Sequence, residues 1–297
     1  MLTAKVSPAE KRQSLRKLLQ ENRLVRVPGG FSPLVAMLIE QTGFEGVYVS
    51  GGALSANMGM PDIGLTTLPE VAGQAAMIAG ATSLPAIVDI DTGFGEPINV
   101  ARTIQTLEQA GLAGCHLEDQ SMPKRCGHLD KKQLVSPQEM ARKIKAAADA
   151  KTDPNFLLIA RTDSRAAEGL DAAIDRAKRY LDAGAEMIFP EALADEAEFA
   201  VFRKAIDAPL LANMTEFGKS PLLSVATLEA IGYDMAIYPV TALRLAMKAI
   251  ERGLKAIADN GDQQEVLCDM QTRQELYELL RYEEYNRFDE QIFNFTL

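Results

Sequence analysis

The stretch PAIVDIDTG, from Pro85 to Gly93, has the pattern of a buried strand that ends in polar residues. Apolar segments of this kind recur along the chain, and each precedes a stretch with apolar residues at helical spacing. The eight segments are RLVRVPGG, GVYVSGG, PAIVDIDTG, AGCHLEDQ, FLLIARTD, AEMIFPEA, PLLANMTEFG and YDMAIYPV, starting near Arg23, Gly46, Pro85, Ala113, Phe156, Ala185, Pro209 and Tyr233. Strands that alternate with helices predict a parallel sheet.

Eight strand–helix units are the number that closes a (β/α)8 barrel, whereas an open doubly wound sheet usually has fewer strands and a glycine-rich phosphate turn. We therefore predict an α/β protein with a (β/α)8 TIM barrel, a preceding N-terminal helix and a single domain over residues 1–297. Polar residues also collect at the carboxyl ends of the strands, which form the catalytic rim of such a barrel. They are Ser50, Asp89, Asp91, Glu118, Asp119, Arg161, Asp163, Glu191, Asn213 and Thr215.

The composition limits the classes of function. The 297 residues include 31 Lys and Arg against 41 Asp and Glu, a formal net charge of -10. This balance argues against a nucleic acid or an anionic membrane as partner and favours a small-molecule substrate. Three irregularly spaced cysteines and an N-terminus without an apolar signal core predict a reducing, cytoplasmic location.

The tail of residues 261–297 has a helical pattern with three Tyr and three Phe. A solitary helical tail of this composition would expose apolar surface. We therefore expect it to pack on the barrel or on a neighbouring subunit.

Asp89 and Asp91 are two residues apart on a predicted strand, so both side chains point to the same face. Their four oxygens suit Mg²⁺, or Mn²⁺, holding several waters and a chelating substrate. Asp62 and Glu118 are candidates for hydrogen bonds to the metal's waters. The alternative is a carboxylate pair that is solvated at a strand end or paired with arginine.

The sequence KRCGH, Lys124 to His128, lies in a loop with Pro, Gly and several charges after the fourth strand. Lys124 and Arg125 would favour the thiolate of Cys126, and Gly127 permits close backbone approach to a ligand. His128 is a candidate to relay protons or bind a carboxylate. The alternative is a chance surface cysteine in a basic loop.

An acidic chain that binds an anionic substrate needs a local cluster of cations. Arg161 at a strand end, Arg244 after the last strand and Arg273 in the tail are the candidates, since each can bind a carboxylate bidentately. Ser50, Gly51 and Gly52 offer a hydroxyl and backbone N–H groups after the second strand. Alternatively, any of the three arginines is a surface ion pair.

These motifs converge on a known family. KRCGH together with VSGG, VDIDTGFG, HLEDQ, ARTD, FPEA and LANMTEFG, at these spacings, resembles the isocitrate lyase and phosphoenolpyruvate mutase superfamily, most closely its methylisocitrate-cleaving lyases. The resemblance runs from about Gly46 through the MQTR segment. KRCGH is specific to the lyase branch, and isocitrate lyases themselves are longer than this chain.

The resemblance implies a barrel whose last helix is exchanged with a neighbour in a homotetramer, and Mg²⁺ held at Asp89 and Asp91 partly through water. It also implies a set of residues that bind a di- or tricarboxylate substrate. They are Ser50, Gly51, Gly52, Cys126, Gly127, Arg161, Glu191, Asn213, Thr215, Arg244 and Arg273.

The implied reaction is cleavage of (2S,3R)-2-methylisocitrate to pyruvate and succinate, in the 2-methylcitrate route of propionate breakdown. Cys126 would protonate the succinate fragment, with Lys124, His128 and Glu118 in the catalytic set. Tyr48 is a candidate base for the substrate hydroxyl, with an acidic side chain acting through water as the alternative.

Phe189, Ile237 and Pro239, at strand ends, are candidates for an apolar wall around the substrate's methyl group. Two rival functions remain open. One is cleavage of isocitrate, or decarboxylation or hydrolysis of an oxaloacetate-like acid. The other is a catalytically silent barrel that binds dicarboxylates.

Overall fold

Eight short parallel strands form the centre of the computed structural model, which describes residues 6–21, 23–125, 127 and 132–295. The strands are β1 (Val25–Pro28), β2 (Val47–Val49), β3 (Ala86–Asp89), β4 (Gly114–Glu118), β5 (Leu157–Thr162), β6 (Met187–Pro190), β7 (Leu211–Asn213) and β8 (Met235–Tyr238). Each lies within one of the eight predicted segments.

The strands close into a barrel. β2 to β6 pair in chain order, and β8 lies between β1 and β7. Single bridges, Gly29 to Tyr48 and Ile188 to Leu210, join these two groups of strands. The predicted (β/α)8 fold is therefore confirmed, and the carboxyl ends of all eight strands lie on one rim.

Helices surround the barrel and extend beyond it. They are α1 (Pro8–Leu18), α2 (Pro33–Gln41), α3 (Gly51–Asn57), α4 (Leu68–Gly80), α5 (Pro97–Gln109), α6 (Pro137–Ala150), α7 (Arg165–Glu168), α8 (Leu170–Asp182), α9 (Glu196–Ala205), α10 (Val225–Ile231), α11 (Thr241–Asn260), α12 (Arg273–Leu279) and α13 (Tyr282–Phe293). Local capping sets many of the starts: Ser136 accepts a hydrogen bond from the Glu139 amide, and a proline follows at the first helical position.

Helix α1 closes the amino-terminal end of the barrel. Leu15 packs with the interior side chains of the strands. The buried Lys11 ammonium donates to the carbonyl oxygen of Ala79, at 2.7 Å, and to that of Thr82. These contacts seal the end opposite the rim and leave the carboxyl ends of the strands as the accessible face.

The last part of the chain leaves apolar side chains uncovered. Among the residues of α11, all of which are described, Ala256 alone is buried. No residue of α13 is buried. The large apolar side chains that α11 exposes are Leu245, Met247, Ile250, Leu254 and Ile257. Within the described ranges, no helix has the length and apolar character needed to cross a membrane.

Candidate active site

Two carboxylates stand together where β3 ends. Asp89 is the last residue of the strand, and Asp91 follows in a turn with a φ of 48°. The Asp91 amide donates to Asp89 Oδ1 at 2.9 Å, and both residues are 7% exposed. A positive φ is uncommon for a residue other than glycine, so the turn places the second carboxylate at some conformational cost.

The backbone of α3 approaches these carboxylates closely. A Cβ on Gly51 would lie 2.8 Å from Asp89 Oδ2, and one on Gly52 would lie 3.2 Å from Asp62 Oδ2. Ser50 begins the helix by accepting a hydrogen bond from the Ala53 amide. A side chain at position 51 would have to displace the Asp89 carboxylate, and one at position 52 would crowd that of Asp62, which favours glycine in the SGG sequence.

Lys124 neutralises part of this charge. Its ammonium, in a residue 3% exposed, lies 2.7 Å from Asp91 Oδ1 and also pairs with Asp62. Burial alone would lower the pKa of Lys124, but Glu118, Asp91 and Asp89 raise it above its ordinary value. Burial, followed by the charge of Asp89, raises the pKa of Asp91 to about 6.

The carboxylate group can accept a divalent cation. Among the described residues, no three His, Cys, Asp or Glu side chains form a metal site on their own. Two carboxylates that leave room for waters and substrate oxygens are nevertheless the usual protein contribution to a Mg²⁺ site. Asp91 Oδ1 lies 2.7 Å from the Lys124 ammonium, so a bound cation would have to share this oxygen with the lysine or displace it.

A second cluster surrounds Arg161 at the end of β5. Its guanidinium makes two hydrogen bonds to Asp163, of 2.9 and 3.1 Å, and lies 3.3 Å from both Glu118 and Glu191. Burial raises the pKa of Glu118 well above its ordinary value. The guanidinium also lies 5.1 Å from the ring centre of Phe189. Asp163 balances the arginine's charge, and Glu118 has the environment of a carboxyl that holds its proton.

Tyr48 lies inside the barrel, below the rim. Its hydroxyl is 2.8 Å from Nε2 of His116, and His116 Nδ1 is 3.8 Å from Asp89 Oδ1. Burial raises the pKa of Tyr48 well above its ordinary value and lowers the pKa of His116 to about 4. Tyr48 is therefore protonated and His116 neutral at neutral pH.

The KRCGH loop is described only in part. Cys126 and His128 lie outside the described residues. Gly127 is buried, and a Cβ there would lie 2.6 Å from Glu191 Cγ. Its carbonyl accepts a hydrogen bond from Lys132, whose ammonium also binds Asp163 Oδ1 at 2.8 Å. Gly127 therefore sits directly on the Arg161 cluster.

The remaining predicted binding residues differ in placement. Asn213, at the end of β7, donates to Glu191 Oε2 at 3.2 Å, and Thr215 follows on the same rim. Arg244 lies in the first turn of α11, where it is 3.8 Å from Glu216 and half exposed. Arg273 is exposed at the start of α12 and lines a cavity of about 750 Å³ formed by α12 and α13. The structure does not bring Arg273 together with the rim cluster of its own chain.

Three buried polar residues near the site were not singled out from the sequence as functional. His116 stands two residues before Glu118 on β4, and this spacing indicates that the two side chains share one face of the strand. Gln120 and Lys132 have no such signal, because their partners depend on the course of the loop.

Fold and site together define a (β/α)8 barrel with a cluster of carboxylates and a buried arginine at the carboxyl ends of its strands. The family model described as phosphoenolpyruvate phosphomutase matches residues 15–258. A probable 2-methylisocitrate lyase 1 of Corynebacterium glutamicum is 58% identical, over 98% of this chain and 95% of that protein. A 2-methylisocitrate lyase of Halalkalibacterium halodurans is 47% identical, over 96% and 95%.

Solved structures of related enzymes have the same fold. An oxaloacetate acetylhydrolase in complex with 3,3-difluorooxalacetate has a TM-score of 0.91 and 32% identity, covering 98% of this chain and 100% of that one. A phosphonopyruvate hydrolase in complex with oxalate and Mg²⁺ has a TM-score of 0.87 and 32% identity, covering 95% and 98%. The chain belongs to the phosphoenolpyruvate mutase/isocitrate lyase superfamily and, within it, to the family of the 2-methylisocitrate lyases.

Proposed function

We propose that the chain cleaves (2S,3R)-2-methylisocitrate to pyruvate and succinate in the 2-methylcitrate cycle, as a cytoplasmic enzyme. The relatives named 2-methylisocitrate lyase support this activity. The observation that carries it is structural: Lys124 is buried on Asp91 and Asp62, and Gly127 is buried against Arg161 and Glu191. The chain on either side of Cys126 is thus held between the acidic cluster and the arginine cluster.

Mg²⁺, with Mn²⁺ as a substitute, would be held by Asp89 and Asp91. Asp62 and Glu118 would bind its waters. Asp62 and Asp91 already pair with the same Lys124 ammonium. When bound, the ion would supply the positive charge that stabilises the oxygens of the forming pyruvate. The Mg²⁺ in the complex of phosphonopyruvate hydrolase supports a divalent cation at this rim.

The substrate carboxylates would be bound by the buried guanidinium and by N–H and hydroxyl groups of the rim. Arg161 is held in one orientation by Asp163, so its remaining N–H groups would bind a substrate carboxylate without reorganisation. The other groups are Ser50, Gly51, Gly52, Gly127, Glu191, Asn213, Thr215 and Arg244.

The proposed cleavage needs a base that takes the proton of the substrate hydroxyl and an acid that protonates the carbon of the succinate fragment. The pKa of Tyr48 lies well above its ordinary value because of burial, so this hydroxyl orients the substrate instead of taking its proton. Glu118 would be the alternative base, acting through water: burial favours its protonated form, whereas the charge of Arg161, 3.3 Å away, favours the ionised form that accepts a proton. Cys126 would give a proton to the carbon of the succinate fragment, and Lys124 and His128 would support the charge changes.

The methyl group would contact an apolar wall. Phe189 and Ile237 are buried in the barrel interior, and Pro239 is buried just after β8. An apolar pocket separates substrates that differ by one methyl group by about 1 to 3 kcal/mol. Replacing Phe189 by leucine is expected to change the ratio of kcat/KM between methylisocitrate and isocitrate; an unchanged ratio would remove Phe189 from the wall.

The whole chain would act as one domain within a homotetramer. The apolar side chains that α11 exposes support exchange of this helix with a neighbouring barrel, and the tail of residues 261–297 would pack there too. Arg273 would then act at a site only within the assembly. Light scattering of a Leu245→Glu, Leu254→Glu variant tests this: we expect loss of the tetramer, and an intact tetramer would contradict the exchange.

Side-by-side assays of methylisocitrate, isocitrate and oxaloacetate with Mg²⁺ test the proposed activity. We expect the highest kcat/KM for methylisocitrate. A Cys126→Ser variant should lose nearly all cleavage while it retains metal binding, with Cys115→Ser, at a buried strand position, as the control.

The likeness to oxaloacetate acetylhydrolase makes hydrolysis of an oxaloacetate-like acid the second candidate. Faster turnover of oxaloacetate or isocitrate would overturn the proposal. Dicarboxylate binding that is unchanged in Cys126→Ser, with no cleavage of any of the three acids by the unsubstituted protein, would favour a catalytically silent, dicarboxylate-binding barrel.

A further inference from the structure

The three residues that end the HLEDQ motif are nearly fully buried but have different partners. Glu118 lies 3.3 Å from Arg161, and Asp119 accepts hydrogen bonds from Thr162, Asp163 and other groups on the helix side of the barrel. Gln120, which is 1% exposed, directs its side-chain hydrogen bonds elsewhere. Its partner is the backbone of Arg125.

The side-chain amide of Gln120 binds both backbone groups of that residue. Nε2 donates to the Arg125 carbonyl at 2.8 Å, and the Arg125 amide donates to Oε1 at 2.9 Å. Two bonds in opposite directions set the orientation of a peptide as well as its position. Because the Arg125 side chain itself is exposed, these backbone bonds are what hold this residue.

Gln120 is itself firmly placed. It forms an antiparallel bridge with Leu134. On either side, the Ser121 amide donates to the Gln133 carbonyl at 2.8 Å, and the Val135 amide donates to the Asp119 carbonyl at 3.0 Å. This short ladder joins the two ends of the loop, so the amide that reaches Arg125 starts from a fixed base.

The residue next to the clamped backbone is Lys124, whose ammonium pairs with Asp91 and Asp62. A lysine side chain has several freely rotating bonds, so the position of its ammonium depends on where its backbone is held. Asp62 and Asp91 restrain the far end of the side chain, and Gln120 restrains the adjoining peptide. The two restraints together define one position for the cation.

We propose that Gln120 is a positioning residue: its amide holds the Arg125 backbone and thereby sets the Lys124 ammonium on Asp91 and Asp62. The residue does not touch the reacting atoms. Its effect on cleavage rests on the proposed function, whereas its effect on the loop backbone does not.

The variant Gln120→Met tests the proposal, because methionine has a similar volume and makes neither hydrogen bond. Gln105→Met, on the exposed face of α5, is the matched control. Hydrogen exchange of the full-length protein reports the clamp without substrate. We expect exchange at the Arg125 amide to rise by about 10-fold or more in Gln120→Met, with no change in the α5 peptide.

Steady-state kinetics with methylisocitrate and Mg²⁺ report the consequence. We expect kcat to fall by about 10- to 100-fold, the range for loss of a supporting hydrogen bond behind a catalytic group, with little change in KM. Melting temperature separates this effect from partial unfolding. Gln120→Asn, which keeps the amide but is one methylene shorter, provides a second variant should Gln120→Met fail to fold.

Unchanged exchange at Arg125 in a folded Gln120 variant would overturn the clamp. Two results would overturn the positioning role. One is raised exchange at the Arg125 amide while kcat stays within about twofold of the unsubstituted protein, and the other is a loss of activity equal to the unfolded fraction of the variant. If the unsubstituted protein cleaves no methylisocitrate, the proposed function fails. The exchange measurement then still decides whether Gln120 holds the loop backbone beside Lys124.

Discussion

Gly127→Ala tests how closely the KRCGH loop is fitted to the arginine cluster. The new Cβ would lie 2.6 Å from Glu191 Cγ and 2.7 Å from Glu191 Oε2, and closer still to Arg161 Nη2. Since non-bonded carbon atoms rest about 3.5 to 4.0 Å apart, the loop or the two side chains must move by about 1 Å. Two hydrogen bonds from the Arg161 guanidinium to Asp163 hold the cluster in place, so the loop is the part expected to shift.

A displacement of about 1 Å near reacting groups lowers the rate by roughly 100-fold. We therefore expect kcat/KM for methylisocitrate to fall by about 100-fold, which corresponds to about 2.7 kcal/mol of transition-state stabilisation. The melting temperature should change little, because the barrel strands are untouched.

Gly73→Ala is the control, since a Cβ there meets no atom within 4 Å and the position is inside α4. That variant should keep full activity and gain slight stability. A Gly127→Ala enzyme with kcat/KM within about threefold of the unsubstituted protein would refute the close fit of the loop.

Three further predictions concern metal, substrate and scaffold. Mg²⁺ at 100 times its Kd should stabilise the unsubstituted protein by about 2.7 kcal/mol and so raise its melting temperature. Asp91→Asn should abolish this rise, and an equal rise in the variant would exclude Asp91 as a metal ligand. Arg161→Lys should lower kcat/KM by about 100-fold, since a lysine cannot keep the two-point contact with Asp163; kinetics near those of the unsubstituted protein would contradict this. Tyr180→Phe removes a 2.7 Å hydrogen bond to the buried Asp119, so urea titration should show a loss of about 1 to 3 kcal/mol in unfolding free energy while KM stays constant.

The barrel could be predicted because its determinants are local. Each strand is a short apolar run with polar residues at its carboxyl end, and closure requires only that eight such units occur. The pair Asp89 and Asp91 could be found because both follow the third apolar run. Their closeness comes from the turn after β3, in which the Asp91 amide donates to Asp89 Oδ1, and not from the strand alternation that the sequence predicts.

The partners of the charged residues could not be predicted. Arg161 binds Asp163 two residues away, but its contacts with Glu118 and Glu191 arise only because β4 and β6 flank β5 in the closed sheet. The clamp of Gln120 on Arg125 depends on the turn of the loop, which local propensity does not determine.

For the tail, the helices could be predicted from the sequence, but their partners could not. The sequence predicts helices after residue 261, and the structure has them. Whether Arg244 and Arg273 meet the substrate depends on where α11 leads and on what covers its apolar face, and neither is a property of local sequence. The roles of these two arginines in substrate binding stay predictions.

The most direct test of the proposed function is to follow ¹³C-labelled (2S,3R)-2-methylisocitrate by NMR in the presence of the purified protein and Mg²⁺. Pyruvate and succinate should appear together, in equal amounts, and their formation should stop on addition of EDTA and resume with excess Mg²⁺. Persistence of the substrate, formation of one product without the other, or cleavage that continues unchanged in EDTA would contradict the proposed reaction at this site.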